Sequence, residues 1–424
     1  MWSRISGMDR NAHAKDHGAP STSPTGSSPT PLPRQAHRLD TISGTIFSTM
    51  TALAAEHNAI NLGQGFPDSD GPDSMLERAV REIRGGTNQY APGRGFPELR
   101  QAIAADREQS WGQHFDWQSE VLVTVGATEA ISTAILAYVN PGDEVIVIEP
   151  YYDVYASATA LAGGTVVPVP LKVSDQGFSL DPDALRRAIS PRSTMLIINS
   201  PHNPTGMMLS REDLEAIAKV ATEANLVVLA DEVYEKLVFD TQPHIPIATL
   251  PGMRERTITV SSAAKTLNAT GWKTGWALGP AELLHPIEIA KQNLTFVGAS
   301  PVQPAVAHAL VHEREWISQL TDNLHQCRDI LDAALVAAGF SIMPTQGSYY
   351  IVADPRPLGY TNGDEFCRGP LIEAGVAGIP LIAFASSADK DRFAPYVRFA
   401  FCKRPEVLRE AARRLLTIRR ADGS

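Results

Sequence analysis

The sequence predicts an α/β protein: a mostly parallel sheet between helices in a large domain, followed by a smaller α+β domain. Three observations predict it. The chain has 424 residues, more than one domain usually holds. Short runs rich in β-branched and aliphatic residues recur at Val121–Val125, Glu144–Ile148, Met195–Asn199, Leu226–Ala230 and Thr257–Val260. Such unalternating runs read as strands covered on both faces, and the helical stretches between them give the alternation of a parallel sheet. Finally, polar residues cluster just past the carboxyl ends of these runs, where open α/β sheets bind their ligands.

Taken in order, residues 1–38 read as a disordered tail, because Gly18–Pro33 is mostly Ser, Thr, Pro and Gly and buries too little apolar surface to offset ordering entropy. Residues 39–70 read as an N-terminal arm and part of the small domain, with an amphipathic helix over Ile42–Ala55. Next comes Asn61-Leu-Gly-Gln-Gly-Phe-Pro67, whose glycines mark unusual backbone or close approach. Residues 71–311 hold the strands above, with helices expected over Glu129–Tyr138 and Arg211–Ala224. Residues 312–424 hold helices and shorter strands and read as the small C-terminal domain.

Bulk properties exclude several classes. A formal net charge of −10 leaves no nucleic-acid footprint, which needs a basic patch. No apolar run is long enough for a membrane span, and no secretory signal is expected. Cys327, Cys367 and Cys402 are odd in number and widely spaced, so a reducing, cytoplasmic setting is expected, with the three as buried small hydrophobes. The eleven His form no H-E-x-x-H pattern, and no metal is expected.

The chemistry centres on Lys265, in Ser261-Ser-Ala-Ala-Lys-Thr-Leu-Asn-Ala-Thr-Gly-Trp-Lys273. An amine held in a desolvated pocket is a nucleophile for carbonyls, including the aldehyde of pyridoxal phosphate. Such a cofactor needs a carboxylate at its ring nitrogen, and Asp231 stands at a strand exit. It needs donors for its ring oxygen, for which Asn203 and Tyr234 are candidates. It needs a phosphate cup: Gly126-Ala-Thr-Glu129 opens a helix whose free amides favour an anion, and Ser262 and Lys273 can complete it. Tyr152 can stack on the ring. Arg398 lies mid-strand in Pro395-Tyr-Val-Arg-Phe-Ala-Phe401, where its fork suits a carboxylate. Each residue also has a plain reading: a helix cap for Asp231 or Thr128, a turn for Asn203-Pro-Thr-Gly206, core for Tyr152, a solvated side chain for Lys265 or Arg398. Their occurrence at successive strand exits is what argues for function.

The segments Asn-Leu-Gly-Gln-Gly-Phe-Pro, Asn-Gln-Tyr90, Ser-Pro-His-Asn-Pro-Thr-Gly, Asp-Glu-Val-Tyr and Ser-Ser-Ala-Ala-Lys resemble those of class I and II aminotransferases of pyridoxal fold type I, from about Asp40 to Leu416. The resemblance is closest to the kynurenine and glutamine aminotransferases and, through Ile-Ile-Asn-Ser-Pro-His-Asn-Pro-Thr-Gly and Phe-Cys-Lys-Arg, to actinobacterial N-succinyldiaminopimelate aminotransferases. It implies a seven-stranded sheet and a pyridoxal 5'-phosphate cofactor joined to Lys265 as a Schiff base. It further implies Asp231 at the pyridine nitrogen and Asn203 and Tyr234 at the ring oxygen. Ala127, Thr128, Ser262 and Lys273 would hold phosphate, with Tyr152 on the ring. The substrate α-carboxylate would be held by Arg398, Asn203 and the backbone at Gly65. Tyr90 would reach the other subunit's phosphate, which implies a homodimer with shared sites. An amino acid and a 2-oxo acid would be processed in two half-reactions, with N-succinyldiaminopimelate the expected donor. Glutamine, methionine or kynurenine transamination and cysteine-conjugate β-elimination are the alternatives. Phe47 stands where kynurenine-type enzymes carry Trp, and Val297 and Gly298 where they carry a second-subunit His; both argue against an aromatic or kynurenine preference. Arg94 is the candidate cation for a distant substrate carboxylate.

Overall fold

The computed structural model describes residues 36–40, 42, 44–240 and 243–423. The tail expected over 1–38 lies outside these residues except for its last three. Helix α1 (Ile46–Glu56) starts four residues later than the periodicity predicts, because Thr45 is extended (ψ 143°) and its side-chain oxygen accepts from the Ser48 amide, capping the helix there. Helix α2 (Pro97–Trp111) follows, with proline at its first position.

The five expected strands and two more, Thr165–Pro170 and Thr274–Leu278, form one seven-stranded sheet. In chain order they are β1 (Val121–Val125), β2 (Glu144–Glu149), β3 (Thr165–Pro170), β4 (Ser193–Asn199), β5 (Val227–Asp231), β6 (Thr257–Ser262) and β7 (Thr274–Leu278). Their spatial order is β1-β7-β6-β5-β4-β2-β3. Six run parallel; β7 alone runs antiparallel to both neighbours. The absence of alternation in the sequence has its reason here. Ile146, Ile148, Leu196, Ile198 and Val228 pack on one face, while Val145, Val147, Met195, Ile197 and Leu229 pack on the other. Successive side chains point to opposite sides, so both sets must be apolar. Each such side chain contributes roughly 1.5–3 kcal/mol when fully buried.

Helices cover both faces: α3 (Gly126–Tyr138), α4 (Val154–Ala162), α5 (Arg211–Glu223), the single turn α6 (Ala263–Thr266) and α7 (Ala281–Leu294). Helix α5 starts at a capping box in which Ser210 and Asp213 satisfy each other's backbone amides. Helix α3 begins three residues earlier than expected, directly on the last residue of β1.

Beyond α7, the long helix α8 (Arg314–Ala337) and α9 (Pro405–Leu415) pack with a four-stranded antiparallel sheet. Its centre is β8 (Tyr350–Asp354) against β9 (Val397–Ala400), with Val352 opposite Arg398. Chain from α1 joins this unit: Ile60 and Asn61 pair with Val376 and Ala377. Glu149, fully buried at the end of β2, ties the two sheets together. Its carboxylate accepts the amides of Ser386 and Ser387 and the Ser387 hydroxyl. Nearby, the Tyr151 amide donates to Phe384 O at 2.8 Å. Among the described residues, no helix is long and apolar enough to cross a membrane. All three cysteines are free and buried.

Candidate active site

Five parallel strands deliver their following residues to one cavity of about 540 Å³. From β1 come Gly126, Ala127 and Thr128; from β2, Tyr152; from β4, Asn203; from β6, Ser262 and Lys265, with Lys273 on the loop before β7. From β5, Asp231 and Tyr234 are buried against it, Val233 between them lining the wall. Gly65 and Tyr350 close it from the side of the smaller sheet.

Lys265 sits on the single turn α6. Its Nζ donates to Tyr349 Oη at 2.6 Å and to Gly65 O at 3.3 Å. Burial disfavours the ammonium and brings its pKa down to about 8. Tyr349 Oη in turn donates to Gly65 O, so this one carbonyl orients both groups. Gly65 has no room for a side chain: a Cβ there would lie 1.9 Å from Tyr350 Oη.

Asp231 ends β5. Tyr155 Oη donates to its Oδ2 at 2.6 Å and the Val233 amide reaches Oδ1 at 3.4 Å. Burial pushes its pKa up to about 6, against the pull of the Tyr155 hydrogen bond. No helix follows it, so it is not a cap. Asn199 Nδ2 donates to Asp231 O at 2.8 Å, and Asn199 Oδ1 accepts the Asn203 amide at 2.7 Å. One asparagine thereby spaces the exits of β4 and β5. Tyr234 Oη lies 3.2 Å from Tyr350 Oη.

Arg398 is 0% exposed, with Nη1 donating to Asn203 Oδ1 at 2.8 Å and Nη2 to Gly63 O at 2.6 Å. Its guanidinium carbon is 4.1 Å from the Tyr350 ring centre, 4.7 Å from that of Phe384 and 5.3 Å from that of Phe47. These contacts replace part of its lost hydration. Its Nε has no partner. A buried cation with an unused donor and, among the described residues, no carboxylate in salt-bridge contact is built for an anion supplied from outside.

At the opposite end, Lys273 Nζ lies 3.5 Å from Thr128 Oγ1. The first amides of α3 have no partner within the helix, and its N-terminal dipole favours an anion. Thr128 makes no side-chain cap. Gly275 keeps β7 close: a Cβ there would lie 2.5 Å from the Ala127 nitrogen.

Two expected residues lie elsewhere. Tyr90 is 82% exposed and packs edge-on against Phe296, with ring centres 5.4 Å apart. Arg94 is taken up at 2.7 Å by Glu288 and at 2.8 Å by Ser119 O, so its guanidinium is committed within the protomer. Several residues that contact the expected site residues were not anticipated: Tyr155, Asn199, Tyr349 and Tyr350. Tyr155 lies three residues after Tyr152, about one helical turn away, and that spacing was the available signal. Tyr349 and Tyr350 carried none.

Comparison with known proteins agrees with this geometry. Residues 57–415 match the family described as aminotransferase class I and II. A probable N-succinyldiaminopimelate aminotransferase of Mycobacterium tuberculosis is 53% identical over 384 residues, 89% of this chain and 97% of that protein. The solved structure of N-succinyldiaminopimelate aminotransferase from Mycobacterium tuberculosis superposes with a TM-score of 0.89, covering 91% of this chain and all of that one. The methionine aminotransferase of Escherichia coli is 39% identical over 378 residues, 89% of this chain and 97% of that protein. Matching over most of its length in both sequence and fold, the chain belongs to the class I and II aminotransferases and is a transaminase.

Proposed function

We propose that this transaminase uses pyridoxal 5'-phosphate to move the amino group of N-succinyldiaminopimelate to 2-oxoglutarate, a step of lysine and diaminopimelate biosynthesis in the cytoplasm. The observation that carries the reading is one cavity lined by the anion-seeking start of α3 and the amine of Lys265, with the half-satisfied guanidinium of Arg398 buried against its wall residues Asn203, Tyr350 and Phe47.

The residues fit the cofactor by their chemistry. Ala127, Thr128, Ser262 and Lys273 would hold the phosphate, and Tyr152 would cover the ring. Asn203 and Tyr234 would face the ring oxygen. Asp231, whose pKa burial raises to about 6, is mostly ionised near pH 7.5 and would pair with a protonated ring nitrogen. Bound there, pyridoxal phosphate supplies an electron sink for charge developing at the donor's Cα. Lys265 Nζ takes the Cα proton, and a pKa of about 8 leaves a usable neutral fraction near pH 7.5. Tyr349 and Gly65 aim that nitrogen. Arg398 and Asn203 grip the α-carboxylate and set which Cα bond faces the amine.

The donor assignment rests on the 53% identical relative named for that substrate. Residues 71–311 form the cofactor-binding domain and 39–70 with 312–424 the small one. The exposed Tyr90 supports a homodimer in which it completes the partner's phosphate site. A methionine or other apolar donor is the second reading, favoured by Phe47 of the cavity wall, which packs edge-on against the buried Phe384 with centres 5.8 Å apart.

The test is an absorbance spectrum of the purified chain, followed by donors added singly without oxo acid. N-succinyldiaminopimelate converting the visible band fastest supports the assignment. Faster conversion by methionine moves it to the second reading. Release of pyruvate or ammonia from cysteine conjugates instead of conversion makes it a β-lyase. No visible band after added pyridoxal phosphate overturns the Lys265 assignment.

A further inference from the structure

A second charged cluster lies behind the site and lines no part of the cavity. Arg107, on α2 and 1% exposed, donates from Nη2 to Glu232 Oε2 at 2.9 Å and from Nη1 to Glu235 Oε2. Gln113 accepts its Nε at 3.0 Å. The guanidinium carbon lies 4.3 Å from the Trp111 ring centre. His244 Nε2 is 3.3 Å from Glu232 Oε2.

The two carboxylates bracket Tyr234. The Glu235 amide closes this turn on Glu232 O at 2.9 Å. The same two residues reach the next strand, Glu235 by its carboxylate and Glu232 by its backbone amide. Ser261 Oγ donates to Glu235 Oε1 at 2.9 Å, and the Glu232 amide donates to Val260 O at 2.8 Å. Ser261 adjoins Ser262, and strand alternation turns the two side chains to opposite sides of the sheet. We propose that Arg107, acting through Glu232 and Glu235, is a positioning residue that fixes the turn carrying Asp231 and Tyr234 against the strand end carrying Ser262 and Lys265.

The physical case is one of charge and geometry. A buried ion cluster is poor value for stability alone, since well-packed apolar residues do as well. This one has two carboxylates to one guanidinium. Burial and the neighbouring Glu232 push Glu235 upward, while Arg107 and His244 outweigh burial at Glu232 and hold it down. Without Arg107 the carboxylates repel, and the two strand ends lose their common anchor.

This inference rests on the cofactor reading above. Its test uses the full chain, with Arg107→Met, Arg107→Lys and Ser261→Ala. The readouts are the dissociation constant for pyridoxal phosphate, the pH midpoint of the visible absorbance band, and the melting temperature. Arg107→Met is expected to weaken cofactor binding about tenfold or more and move the midpoint by about half a pH unit. Arg107→Lys should restore part of both. Ser261→Ala, which lies outside the cavity, should fold normally and shift both in the same direction by less. If Arg107→Met does not fold, Ser261→Ala decides alone. Variants that fold, bind as tightly as the wild type and keep its midpoint overturn the inference while leaving the cofactor reading intact. A wild-type chain that takes up no pyridoxal phosphate overturns both.

Discussion

At the scale of single residues, Lys265 and Gly65 show how little the site can give. Replacing Lys265 by Ala removes the amine that Tyr349 and Gly65 aim. Turnover should fall by about 10⁴-fold or more while the fold persists, since the side chain contacts only site residues; single-turnover assays and circular dichroism check both halves. Gly65→Ala places a methyl 1.9 Å from Tyr350 Oη. The forced shift should cost about 1–3 kcal/mol and lower kcat, and an undisturbed melting curve would count against it. Ionisation gives a third prediction. Asp231 is raised by burial from 3.8 to about 6. Its contribution to the stability of the cofactor-free protein is therefore fully present below about pH 4 and lost as pH rises through 6. Lys265 is lowered to about 8, so its contribution is present above its ordinary value and lost as pH falls through 8. Cofactor binding that pairs Asp231 with a cation should raise the melting temperature more at pH 7.5 than at pH 5. A gain independent of pH, or one unchanged in Asp231→Asn, would falsify that pairing.

At the scale of elements, five of the six parallel strands and the residues at their exits were legible from composition alone, because a strand covered on both faces must be apolar throughout; the sixth, Thr165–Pro170, carries two prolines and is only partly buried along most of its length. Lys265, Asp231, Asn203, Ser262 and Thr128 all fell where that pattern ends, and the structure brings them to one cavity. Strand β7 was not legible: Thr-Gly-Trp-Ala-Leu has a glycine at its second position, and that glycine exists because β7 presses on the start of α3. The tyrosines of Gly-Ser-Tyr-Tyr350 were missed because their role comes from the turn into β8 of the other sheet meeting this site, which periodicity cannot report. Caps were legible where side chains make them. Ser210 heads a capping box, so Ser210→Ala should cost about 1 kcal/mol and leave kcat unchanged. A denaturant titration beside a turnover assay separates the two.

At the scale of the whole molecule, the outward-facing Tyr90 is the residue one protomer leaves unexplained. If it completes a partner's site, the Tyr90→Ala and Lys265→Ala defects of a mixed dimer fall on the same site and leave the other intact. Co-refolding the two variants should then yield more activity than the sum of the separate preparations. An additive result argues that each protomer works alone. Movement within a protomer is constrained at another place. The buried carboxylate of Glu149 is held by the segment that lays Phe384 over Arg398, and parting them would strand a negative charge away from water. The wall bearing Tyr152 and the lip bearing Phe384 must therefore travel as one piece, so that any opening to admit a long amino acid swings about some other joint and leaves the grip around Arg398 the same width throughout.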